Sequence, residues 1–149
     1  MQATMREPGA VAAGFILLPV YEYCLKVKKV KPCNVADIKM ATRLLKFLLP
    51  TSALQRGAKD EATSIAHAIQ ISVSFYRLSK KSCVSRSVML WQCCQVRNIP
   101  AVCQLGYSEK LKQFHTWVEV DSIPVNDTAD VANRYACFDK PLISSPNVT

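Results

Sequence analysis

The sequence has no Cys-x-x-Cys pair, no internal repeat, and no apolar run long enough to cross a bilayer. Each absence closes a class. Without a Cys-x-x-Cys pair, Cys93, Cys94 and Cys103 with His115 have no spacing from which a tetrahedral zinc site would be built, so neither metal nor cofactor is expected. Seven cysteines, at 24, 33, 83, 93, 94, 103 and 137, lack the regular framework of a small secreted scaffold. They point to a reducing cytoplasm, where most such thiols are small buried apolar groups. The one apolar stretch near the N-terminus, GAVAAGFILLPV over 9–20, is too short to span and is followed by no clean small-residue cleavage site. It reads as a buried or interfacial helix. The basic run from Lys26 to Lys31 has no glycine-rich or aromatic-interleaved context, which disfavours nucleic acid as a partner.

What is present fits one domain over residues 1–149, because a chain of this length that is half apolar can bury a core without metals or bridges. The net charge of +8 is unevenly placed: residues 1–81 hold 13 Lys/Arg against 5 Asp/Glu, and residues 82–149 hold 6 of each. A basic first part beside a neutral second part implies either an acidic docking partner or a solvated basic face. The first part reads as helical, over about 10–30, Val35 to Leu49 and Asp60 to Leu78, with Ile38, Ala41, Leu45 and Leu48 at helical spacing. Pro50 stops the second helix. In the third, His67 falls off the apolar line and reads as a surface or groove residue.

After Ser82 the pattern changes. Cys83 to Arg97 carries apolar residues on nearly every face and predicts a helix buried in the middle of the fold, ended by Asn98, Ile99 and Pro100. Three extended runs follow, Ala101 to Tyr107, Gln113 to Ser122 and Ile123 to Asn126. In the second, Phe114, Thr116, Val118 and Val120 share one face, and His115, Trp117 and Glu119 the other. The expected fold class is α+β, an antiparallel sheet packed on a central helix, with a basic helical part (1–81), a core (82–138) and a frayed tail (139–149).

Ser82 as N-cap places Cys83 in the first turn of the buried helix, where unpaired N–H groups and the positive dipole end favour a thiolate and one backbone N–H faces a developing oxyanion. His115 on a strand can take the thiol proton and return it to a leaving amine. Asp127, at the end of the neighbouring strand, can hold the other imidazole nitrogen. Gln104 is a candidate second oxyanion donor. Arg86 can meet a substrate carboxylate or brace a neighbouring loop, and Trp117 can shield the imidazole.

The strings CVSRSVML (83–90), RNIPAVCQLGYS (97–108) and FHTWVEVDSIPVND (114–127) together resemble the leader peptidases of lasso-peptide biosynthesis. Cys83 and Arg86 match that family's Cys-x-x-Arg helix start, Gly106 its strand end, and His115, Trp117, Val118 and Glu119 its His-Ala-Trp-Val-Glu strand. Thr116 replaces the usual Ala and Asn98 the usual Gly, which bears on substrate fit. The resemblance implies a transglutaminase- or papain-like fold with Cys83, His115 and Asp127 as triad, cutting a precursor peptide at its leader–core boundary. It also implies two partners, a separate leader-recognition protein, this chain being the split form, and an ATP-dependent macrolactam synthetase that receives the freed core. Two other readings stay open: an acyl transferase or deamidase using the same triad, and a non-catalytic subunit that binds a partner through its basic helices.

Overall fold

The structure is a computed structural model that describes residues 7–29, 31–32, 34, 39–49, 57–77 and 82–144. Helix α1 (Pro8–Glu22) runs on through a π-helical turn at Tyr23–Val27. There follow α2 (Lys39–Leu48), α3 (Ala58–Phe75) and α4 (Cys83–Val96). Strands β1 (Val102–Ser108), β2 (Gln113–Val120) and β3 (Ile123–Pro124) come next, then the short α5 (Val131–Arg134), β4 (Ala136–Cys137) and β5 (Ile143–Ser144). Residues 35–38 of the expected second helix, and Leu78 of the third, lie outside the described residues.

α4 is the axis of the molecule, as its apolar faces require. It packs against α1, α2 and α3 on one side and against β1 and β2 on the other. Val88, Met89, Leu90, Cys93 and Cys94 are buried with Leu17, Leu18, Leu45, Ile65, Val118 and Val120 in one core. Polar side chains inside this helix are matched to neighbours: Ser85 Oγ donates to Glu22, Gln92 Nε2 to Thr42 Oγ1 at 2.9 Å, and Ser87 Oγ to the Thr116 carbonyl at 3.1 Å. Buried polar groups are tolerable only when so partnered.

The helix ends in a Schellman motif. Ile99 N–H donates to the Cys94 carbonyl at 2.8 Å and Asn98 N–H to the Gln95 carbonyl at 3.1 Å, with Asn98 at φ 56°. Asn is among the few side chains that adopt this left-handed conformation readily, which explains how it stands where a glycine is more usual.

The sheet is antiparallel, in the order β3-β2-β1-β4, with β5 also on β1. The register sets Leu105 opposite Thr116, Gly106 opposite His115 and Cys103 opposite Val118. Thr116, Val118 and Val120 are buried toward α4, while Trp117 is buried on the far face with Val131 and Tyr135, the division that the alternation predicts.

Two expectations are corrected. The described part of the tail, 139–144, is not frayed: Leu142 N–H donates to the Cys103 carbonyl at 2.8 Å, and Ile143 and Ser144 pair with Cys103 and Val102, while 145–149 lie outside the described residues. The 9–20 stretch belongs to a 20-residue helical run, Pro8–Val27, long and apolar enough to cross a membrane by length and composition. Here Ala10, Ala13, Leu17, Leu18 and Tyr21 of that run line the core.

An ion-pair cluster joins three helices. Arg97, just past α4, bonds Glu61 at the start of α3 at 2.5 Å and Glu7, ahead of α1, at 3.0 Å, and all three side chains are almost fully enclosed. Removing the cation strands two buried carboxylates. Arg97→Ala is therefore expected to cost about 3–5 kcal/mol, read as a lower urea midpoint at unchanged slope.

Candidate active site

The first turn of α4 abuts an uncovered edge of β2. β3 pairs only with Glu119 and Val120, so the backbone of Thr116 and Val118 on that edge must find other partners. Val118 N–H donates to Asn126 Oδ1 at 2.8 Å, its carbonyl accepts from Val125 N–H at 3.0 Å, and the Thr116 carbonyl accepts from Ser87. Asn126 Nδ2 also reaches Ser87 Oγ at 3.1 Å. Cys83 lies one turn before Ser87 on the same face of the helix, which sets its thiol beside Thr116 and within hydrogen-bond reach of His115.

His115 Nε2 is 2.5 Å from Asp127 Oδ2, which leaves Nδ1 for the thiol. The three residues singled out from the sequence thus come together in the order thiol, imidazole, carboxylate. The imidazole is held on its faces by Tyr135, with ring centroids 4.8 Å apart, and Trp117 at 6.1 Å. Gly106, opposite His115, makes room for this cage. A Cβ there would sit 2.9 Å from Tyr135 Cβ and 3.0 Å from the Trp117 ring.

Burial by itself pushes the Cys83 thiol up. His115 and the hydroxyl and backbone N–H of Thr116, as donors that favour the charged sulfur, together with the charge of His115, outweigh it and bring the thiol down to about 7. The bond to Cys83 raises His115 above the ordinary imidazole value against the opposing effect of burial, and Asp127 adds to the rise. Burial opposes ionisation of Asp127, but the bonds from His115 and Thr128 N–H and the charges of His115 and Arg134 hold its carboxyl below the usual range. A lowered thiol beside a raised imidazole is the condition for a thiolate–imidazolium pair near neutral pH. By contrast, burial pushes Cys93 and Cys103 up to about 12 and Cys94 higher still, so these thiols are packed and inert.

Several partners were not anticipated. Arg134 Nη2 bonds Asp127 Oδ1 at 3.0 Å and Thr128 Oγ1 at 2.7 Å, and Thr128 N–H donates to the same Asp127 oxygen at 2.7 Å. The only sequence signal for Arg134 is its spacing of four from Asp130, which it also meets, at 3.3 Å. Ser87 and Asn126 carry none, because their roles depend on an edge that exists only in the folded sheet.

Other expectations need correction. Ser82 does stand at the N-cap, but its side chain makes no capping bond to the first turn. Gln104 is not an oxyanion donor here: its amide is turned to Glu119, at 3.1 Å, on the sheet face opposite Thr116. Arg86 donates to Gln70 Oε1 at 3.1 Å and, with His67, Gln70, Leu90, Asn126 and Asp127, lines a cleft of about 320 Å³ on the Asp127 flank of the site.

The sequence profile described as the transglutaminase-like superfamily matches residues 35–138, a span that includes Cys83, His115 and Asp127. No curated protein and no solved structure matches the chain. The mixed helical and curled antiparallel architecture is the α+β, papain-like arrangement that such a match entails.

Site-resolved alkylation of Cys83 by iodoacetamide should rise with pH about a midpoint near 7. In His115→Ala only burial and the Thr116 donors remain, so the midpoint should move up toward or past the ordinary thiol value.

Proposed function

Because the chain belongs to the transglutaminase-like superfamily, we propose that it is a cysteine peptidase that removes the leader from a ribosomally made lasso-peptide precursor in the cytoplasm. The observation that carries the peptidase reading is the convergence on His115 of the Cys83 thiol and of Asp127, which is hydrogen-bonded to the imidazole, with the thiol lowered and the carboxylate held ionised. The three strings around it, CVSRSVML, RNIPAVCQLGYS and FHTWVEVDSIPVND, support the finer reading.

In this mechanism the Cys83 proton passes to His115 Nδ1 and the sulfur electron pair attacks the scissile carbonyl. The backbone N–H of Cys83 at the start of α4 faces the oxyanion. Collapse sends the proton from His115 to the leaving amine, which frees the core's N-terminus for an ATP-dependent macrolactam synthetase. Water, activated by the same imidazole, then resolves the thioester. Asp127, fixed by Arg134 and Thr128, keeps the imidazole oriented throughout. The cleft beside Asp127 gives an extended peptide a wall to lie against.

The proposed second partner is a leader-recognition protein. Lys28, Lys29, Lys31, Arg43 and Lys46 are exposed, and α2 also presents Met40 and Phe47 to solvent, the latter 81% exposed. A basic face with an apolar stripe suits an acidic, partly apolar partner.

Mass spectrometry of a candidate precursor incubated with the chain tests the activity. Cys83→Ala and His115→Ala should lose about 10⁶-fold in rate and Asp127→Asn about 10⁴-fold, because the last misorients a reacting group without deleting it. Retained turnover in Cys83→Ala sinks the reading, and products bearing an added amine in place of water identify acyl transfer.

Docking is tested by titrating the recognition protein. Charge reversal at Lys28, Lys29 and Lys31, or at Arg43 and Lys46, should slow assisted cleavage and leave the unassisted rate unchanged, and raising salt should have the same effect on wild type. An isolated chain that responds neither to partner nor to salt rules docking out.

A further inference from the structure

Thr116 stands between two residues whose roles are plain, His115 and Trp117, yet its own side chain is unexplained. The residue is 2% exposed, and Oγ1 makes no regular hydrogen bond among the described residues. A buried hydroxyl without a partner costs about 1–3 kcal/mol, and a methyl in its place would pack without that cost. Its backbone is fixed: the Thr116 carbonyl accepts from Ser87 Oγ at 3.1 Å, and Ser87 lies one turn after Cys83 on the same face of α4. The buried Thr116 side chain is therefore held against the turn of α4 that carries Cys83.

We propose that the Thr116 hydroxyl is a donor reserved for the charged sulfur of Cys83, idle beside the neutral thiol and engaged once the proton has moved to His115 Nδ1. The chemistry of sulfur explains the idle state. A neutral thiol is a weak acceptor, whereas a thiolate accepts charge-assisted bonds. When the S–H bond breaks, its electron pair stays on sulfur, its proton goes to the imidazole, and the hydroxyl turns its own hydrogen to the new anion without transferring it. The backbone N–H of the same residue is a second donor to the same atom, so Thr116 grips the thiolate through one rigid strand position. Both donors lower the thiol in the same sense as the His115 bond. When sulfur becomes acylated the charge is gone and the hydroxyl is released, so its stabilisation is confined to the nucleophile before attack.

This inference rests on Cys83 being the nucleophile, but its test needs no peptide. Cys83 alkylation by iodoacetamide, followed by peptide mapping so that the other cysteines do not contribute, is measured against pH in wild type, Thr116→Val, Thr116→Ala and Thr116→Ser. Valine keeps the shape and loses the hydroxyl; alanine is the second hydroxyl-free variant should valine fold poorly. Both should raise the midpoint by about one unit, a tenfold loss of thiolate on the acid side, and serine should stay close to wild type. A hydroxyl-free variant that titrates like wild type overturns the inference, as does a serine variant shifted as far as valine. A wild-type midpoint near that of an ordinary thiol, unmoved by His115→Ala, would instead remove the nucleophile reading itself.

Discussion

The half-covered edge of β2 is the constraint from which the site follows. β1 pairs with β2 along its whole length, but β3 takes only two positions of the other side. Unpaired backbone groups at Thr116 and Val118 would be costly so near the core. The Thr116 carbonyl and both Val118 groups are satisfied by Ser87, Asn126 and Val125, which come from α4 and from the chain just after β3. Docking α4 by Ser87 brings Cys83 to the same edge, and docking the post-β3 segment by Asn126 brings Asp127 alongside His115. Thiol, imidazole and carboxylate thus converge because a sheet edge had to be closed.

The electrostatics divide into a tight part and a diffuse part. Asp127 receives His115 on one oxygen and Thr128 and Arg134 on the other, so its charge is fully engaged and its position set. The buried Arg97 cluster, at the opposite end of α4, anchors the far ends of α1 and α3 to the helix that carries Cys83. Lys26 of the π-helical turn pairs with Glu22, whereas among the described residues Lys28, Lys29, Arg43 and Lys46 form no ion pairs, and their field reaches outward. One set of charges fixes geometry and the other is available to a partner.

The amino-acid sequence by itself determined the character of each element. Apolar residues on nearly all faces of 83–96 can belong only to an enclosed helix, and alternation over 113–120 sorted Thr116 and Val118 from Trp117 because a strand's side chains change face at every residue. A cysteine just after a serine at the start of that helix, with one histidine on the strand and an aspartate past the turn, sets Cys83, His115 and Asp127 apart in the sequence itself. Tertiary structure alone decided what surrounds them. Arg134, Ser87 and Asn126 act across 7, 29 and 8 residues of chain on Asp127, Thr116 and Val118. The binding of Gln104 to Glu119, the docking of Ile143 on β1 and the contact between Arg97 and Glu7 across 90 residues depend likewise on register and helix docking. Local periodicity reports which face of an element is apolar; which polar group meets which is set by how the elements come to lie against one another, and no window along the chain contains that.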